Sequence, residues 1–164
     1  MALPPLHRID STPIYIFEDD DAWEHDRIGE EIGAEVNLDH PLVRYYAGLT
    51  RYDLDTVRDY FDRDKRPAMF VLKRLGVREY ARALDMAANI GDREAQLFAA
   101  EHGLVRVDNV PALASVELGN RPRLRRQDMD AVIDAIGRDR WLTLGQAVLL
   151  ASRELTAAEG KPSA

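Results

Sequence analysis

Between Arg66 and Leu84 the chain reads Arg-Pro-Ala-Met-Phe-Val-Leu-Lys-Arg-Leu-Gly-Val-Arg-Glu-Tyr-Ala-Arg-Ala-Leu, and its hydrophobic period changes within that span from two to three and four. Met69, Val71 and Lys73 fall on one side of an extended segment and Phe70 and Leu72 on the other, because successive strand side chains point to opposite faces. From Val77 the apolar spacing is helical, placing Val77, Tyr80, Ala81, Leu84 and Ala88 on one stripe to be buried and leaving Arg78, Arg82 and Asp85 for water. A strand that runs straight into an amphipathic helix demands a sheet with a helical layer packed on it. It is a structural device and carries no reaction chemistry of its own.

The same two periods place the remaining elements. Ile14 and Ile16 alternate with Tyr15 and Phe17, predicting a strand over 13–17, at a sheet edge because Pro13 has no N–H for a ladder. The segments 68–73 and 104–107 are the other expected strands. Helices are expected over 41–47, with Pro41 in the first turn and Gly48 closing it, and over 55–61, where Val57, Tyr60 and Phe61 keep helical spacing behind a cap at Asp55 or Thr56. Further helices are expected over 77–90, over 92–102 with Ala95, Phe98 and Ala99 buried, over 128–136 with Met129, Val132, Ile133 and Ile136 buried, and over 141–155. Gly91 between two of them predicts a packed helical hairpin. The expected class is α+β, predominantly helical, with a few short strands. A single domain over 12–157 has an acidic front (12–64) and a helical back (65–157), preceded by a mobile arm (1–11) and followed by a disordered tail (158–164).

The last helix is apolar almost all round. Trp141, Leu144, Val148 and Leu155 make one face, while Leu142, Leu149 and Leu150 make much of the other. Such a helix is either central in the core or offers one side to a partner. Tyr45, Tyr46, Tyr52, Tyr60 and Phe61 are concentrated enough for an interface, with core packing the alternative.

With 164 residues and 46% hydrophobic content the chain can build one real core. Its net charge of -7 argues against a general nucleic-acid coat, since phosphate binding is driven by clustered Lys and Arg. The imbalance is local: residues 1–64 carry 16 acidic and 6 basic side chains, and residues 65–164 carry 13 and 16. The two halves can attract each other within one molecule or between copies. The absence of cysteine excludes disulfides and thiolate metal sites. The opening residues lack the pattern of a secretory signal, and no run of about 18 apolar residues is present to cross a bilayer, so the expected location is the cytoplasm.

Candidate reaction chemistry is sparse. Glu18, Asp19, Asp20, Asp21, Glu24 and Asp26 form an acidic segment of the kind hard cations use. Counted from Asp19, however, an EF-hand loop would have Glu24 where its glycine belongs, and only Glu30 at the twelfth position fits. A solvated turn or the first turn of a helix is the simpler reading. His7, His25, His40 and His102 show no zinc-helix spacing, and none lies in a nucleophile elbow. Arg121, Arg123, Arg125 and Arg126 are the concentrated basic patch, without the interleaved aromatics of a nucleic-acid surface, and read as a solvated link that can match the acidic front. The expectation is no catalytic residue, no metal and no cofactor.

Pro67-Ala-Met-Phe-Val-Leu-Lys-Arg-Leu-Gly-Val-Arg-Glu-Tyr resembles the strand, the Phe-x-Leu-x-x-Leu turn and the helix start of tail assembly chaperones and related small proteins of tailed bacteriophages and prophages. Leu144-Gly-Gln-Ala-Val-Leu-Leu-Ala-Ser-Arg-Glu-Leu, with Glu159-Gly-Lys-Pro after it, is similar to their C-terminal helix and tail. The resemblance covers roughly residues 65–162, with a vaguer match from His40 to Asp55. It implies a non-enzymatic protein of the host cytoplasm that shields apolar helices of the tape-measure protein and helps recruit tail-tube subunits, with self-association a further option. On that reading Leu142, Leu149 and Leu150 make the partner contact by helix-in-groove packing, with Tyr45 and Tyr46 as secondary candidates. The alternatives are a minor structural protein of the virion, at the tail or head–tail junction, and a metal-dependent enzyme using the acidic segment 18–26.

Overall fold

A computed structural model of the chain describes residues 13–33, 37, 39–46, 57–114 and 123–159, without the side chains of 154–159. The described residues build a predominantly helical α+β fold. Three short antiparallel strands, β1 (Ile14–Tyr15), β2 (Met69–Leu72) and β3 (Leu104–Asp108), lie in the order β1-β2-β3. Tyr15 pairs with Phe70, and Phe70 in turn with Val107. The β2–β3 register slips between Val71 and Leu72, since Val71 faces Arg106 while Leu72 faces Leu104. Around the sheet stand α1 (His25–Ile32), α2 (Pro41–Tyr46), α3 (Val77–Asn89), α4 (Asp92–Gly103), α5 (Arg126–Ile136) and α6 (Arg138–Glu159), with single 3-10 turns at Arg58–Tyr60 and Pro111–Leu113.

Alternation along β2 divides the interior. Phe70 and Leu72 enter the main core with Phe17, Ala83, Phe98, Leu104, Val132, Trp141, Leu144 and Val148. Met69, pointing the other way, packs on a second and smaller cluster of Ile16, Trp23, Leu42, Tyr45 and Val57. The central strand is thus covered on both faces, which is why four consecutive apolar residues suit it. Its neighbour β1 is an edge strand whose outward carbonyls need partners. Tyr45 and Tyr46 of α2 supply them, each hydroxyl donating at 2.6 Å, to Ile14 O and Ile16 O respectively.

Several expectations change in the structure. α6 begins at Arg138, three residues before 141, because Gly137 at φ 92 turns the chain straight out of α5 into a new helix. It also runs to Glu159, into the expected tail. Of the helix expected over 55–61, Val57 is helical and Arg58–Tyr60 tighten into a 3-10 turn. Phe61 leaves it to bridge Trp23, with ring centroids 4.6 Å apart. The arm 1–11, Gly48, Tyr52 and the candidate caps Asp55 and Thr56 lie outside the described residues.

Of the stripe expected to be buried on α3, Tyr80 packs inward and Val77, Ala81, Leu84 and Ala88 are exposed. Ala83 is fully buried, and Tyr80 and Met86 pack on the main core, whereas Val77 and Leu84 are 68% and 51% exposed. Alanines occur on both faces of this helix, so its apolar spacing fits two rotations. Packing against α4 selects the face carrying Ala83, whose small side chain admits close approach.

Candidate functional site

An open cleft of about 340 Å³ lies between α1, α2 and the turn after β1, lined by Glu18, Trp23, His25, Ile28, Ile32, Leu42, Val43 and Tyr46. Its size falls in the range of small binding sites, and its walls are mostly apolar. Ile28 and Ile32, one helical turn apart, are half-buried on α1, a helix with no buried residue at all. Leu42, by contrast, belongs to the second core and makes the floor. Trp23 is fixed by its indole N–H, which donates to Phe17 O at 2.9 Å. His25 donates to Asp20 O at 2.9 Å, leaving its ring along the rim.

Ile28 packs on the edge of the second core, and polar contacts complete the attachment of α1. Glu24 N donates to Tyr60 O at 2.9 Å, and the Arg27 guanidinium donates to Asp59 O at 3.0 Å while lying 4.8 Å from the Tyr60 ring centroid. Arg27 also pairs with Glu31 at 3.1 Å, and the far side of Glu31 takes a 2.9 Å hydrogen bond from His40 Nε2. Hydrogen bonding from His40 first, then Tyr60, with Arg27 adding to it, holds the Glu31 carboxyl below its ordinary value. Among the residues that line the cleft, Glu18 is the carboxylate, exposed at its edge.

The His40–Glu31 pair has the composition of an acid–base dyad but the geometry of a cap. His40 is only 4% exposed, and its Nδ1 accepts the Leu42 N–H at 3.2 Å. With that lone pair engaged, Nε2 carries the proton donated to Glu31, and no nitrogen of the ring is open to take a proton from a substrate. The imidazole caps the start of α2 and ties it to α1.

The acidic segment is put to structural use. The Asp20 carboxylate accepts from Ala22 N at 2.9 Å and from Ala68 N at 3.0 Å, pinning the turn to the entry of β2. Asp19 pairs with Arg140 at the start of α6, and the same guanidinium lies 5.1 Å from the Phe17 ring centroid. This is the expected attraction between acidic front and basic back, realised within one molecule. Among the described residues, no three His, Asp or Glu side chains stand close enough to hold a metal ion. In the basic patch, Arg125 pairs with Asp128 at 3.2 Å and Arg123 approaches Glu101 at 4.0 Å, both partners in the basic back, while Arg121 lies outside the described residues.

The expected partner-binding residues are scattered by the fold. Tyr45 is 2% exposed and serves the β1 edge, so it offers no surface to another chain. Tyr46 keeps its β1 contact and also lines the cleft. Leu149 packs against the main core, and Leu142 and Leu150 are half-buried on α6. All three are partly covered on α6, the helix on which α4, α5 and α3 pack. Trp23 and Val43 are not among the candidate residues of the sequence, and His25 is there only as one of four unpatterned histidines. A tryptophan embedded in a run of acids was the available signal, since a large apolar residue in a solvated turn needs something to pack on.

Among the described residues, no helix is long and apolar enough to cross a membrane. Comparison of the chain with protein-family models, with curated proteins and with solved structures returns no match in any of the three.

Proposed function

We propose that this protein is a non-enzymatic binding protein of tailed-phage or prophage tail assembly, chaperone-like, that holds an apolar helical segment of a partner in the cleft between α1 and α2. The observation that carries the binding reading is α1 itself: an amphipathic helix with no buried residue, whose Ile28 and Ile32 face an apolar cleft. Apolar anchors of a partner helix would cover those side chains, and the Glu18 carboxylate at the cleft edge favours a Lys or Arg beside the anchors. The assembly context rests on the resemblance over residues 65–162, which makes a tape-measure or tail-tube protein the partner and the host cytoplasm the place of action.

The test is co-expression with the tape-measure and tail-tube proteins of the same genome. The expected result is a soluble complex with one of them that is lost in Ile32→Glu and absent from finished particles. An Ile32→Glu protein that binds as well as wild type would remove the cleft from the proposal. Failure of both partners to copurify would remove the assembly role.

A further inference from the structure

We propose that a second copy of this chain docks on the outer face of α3, the two helices running antiparallel about a twofold axis between Ala81 and Leu84. The inference goes beyond the cleft reading and uses a different surface.

Val77, Ala81, Leu84 and Ala88 are spaced by four, three and four, the d-a-d-a pattern of a two-stranded seam. All four are exposed, Val77 at 68% and Leu84 at 51%, while the opposite face of the same helix is spent on the protein's own core through Ala83. An antiparallel twofold sets Ala81 against Leu84 of the other copy and Val77 against Ala88. Every layer then opposes a large side chain to a small one, the arrangement that lets facing helices interdigitate. Parallel pairing would instead stack Leu84 on Leu84 and Ala81 on Ala81.

The flanks point the same way. On one side of the stripe stand Arg78 and Asp85, both exposed, and among the described residues neither has an ion-pair partner within its own chain. Antiparallel pairing brings Arg78 of each copy beside Asp85 of the other, twice by symmetry. Arg82, between them, is drawn away onto the Phe98 ring, 5.3 Å from its centroid, and so does not place like charges at the axis. On the other side Tyr80 meets Ala87. One surface is therefore complementary to itself in volume and in charge, which a stripe awaiting an unrelated helix has no reason to be. Two heptads bury well under the roughly 800 Å² per partner of a stable complex, so the association is weak and concentration-dependent.

Sedimentation velocity on the full chain, up to millimolar protein, tests the proposal. Wild type should move from monomer toward dimer as concentration rises. Leu84→Glu should remain monomeric with an unchanged thermal midpoint, because the side chain is exposed. Arg78→Glu and Asp85→Arg should each weaken association about tenfold or more, and the double variant should recover it. Ile32→Glu, which tests the cleft, should dimerise normally. A wild type that stays monomeric, association that survives Leu84→Glu, or a double variant no better than the singles would overturn the proposal. So would a monomeric chain that binds another protein's helix through this stripe.

Discussion

Gly145 lies so close to the backbone of α4 that a β-carbon built on it would stand 2.0 Å from the Gln96 carbonyl oxygen. The contact is with main chain and cannot be relieved by a side-chain rotation. It explains a glycine in the interior of a long helix, where that residue otherwise costs stability. Gly145→Ala should force α6 off α4 and destabilise the fold by about 1–3 kcal/mol, the usual range for overpacking. Gly29→Ala is the control, since nothing lies within 4 Å of the added carbon. It should raise stability by up to about 1 kcal/mol through helix propensity alone. Urea unfolding midpoints of the two variants should move in opposite directions.

Ser152 joins the same helix to the strand-into-helix segment. Its hydroxyl accepts the Leu75 N–H at 2.8 Å and donates to Val148 O at 2.7 Å, with both residues buried. Ser152→Ala preserves the packing volume but leaves the Leu75 amide without that acceptor, at a cost of about 1–3 kcal/mol. Hydrogen exchange gives a local reading: the Leu75 amide should exchange faster in the variant by more than global destabilisation alone produces.

Period and the glycines at helix ends locate the three strands, α2 and the helices from α3 onward, whereas α1 is not among the expected helices, having only Ile28 and Ile32 as apolar markers. What they leave undecided is rotation. On α3, alanines at 81, 83, 87 and 88 make two faces equally plausible, and only the α4 packing surface decides between them. On α6, the leucines at 142, 149 and 150 are partly covered, to a degree set by the helices packed around it, which the sequence does not count. The cleft is half legible, because Ile28 and Ile32 stand one helical turn apart, but its other wall comes from α2, across the segment 33–40 whose path no periodicity fixes. Leu149 distinguishes the two readings of α6. As a partner contact, Leu149→Asp would spare stability, whereas packed against the core it should unfold the protein or lower its thermal midpoint sharply, because a buried unpaired carboxylate is costly.

The tie between α1 and α2 should respond to acid. Glu31 has its carboxyl lowered from the ordinary 4.5, chiefly by the hydrogen bond from His40. A lowered folded value means the stabilisation is fully present above the unfolded value and is lost as pH falls through the folded one. Trp23 fluorescence should therefore report loosening of α1 at pH below 4.5, and Glu31→Gln should lack that step. His40→Ala removes the cap on Leu42 as well as the tie, and should cost about 0.5–2 kcal/mol at neutral pH.

At the alkaline end the tyrosines around β1 take over. Tyr15 is raised from 10.0 to about 12, by burial first and then by the charges of Glu18 and Asp19. Burial raises Tyr46 as well, with Tyr45, Tyr15 and Glu18 adding to it. For a group whose folded value is raised, stability is intact below the unfolded value and falls as pH climbs toward the folded one, because only the unfolded chain releases the proton. Unfolding midpoints should thus hold steady up to pH 10.0 and decline from there toward about 12. Tyr15→Phe keeps the edge-to-face ring packing on Phe17, at 5.2 Å between centroids, and removes this residue's share of the decline. A Tyr15→Phe protein that loses stability as steeply as wild type between those limits would assign the alkaline transition to the other buried tyrosines and not to the acidic turn beside β1.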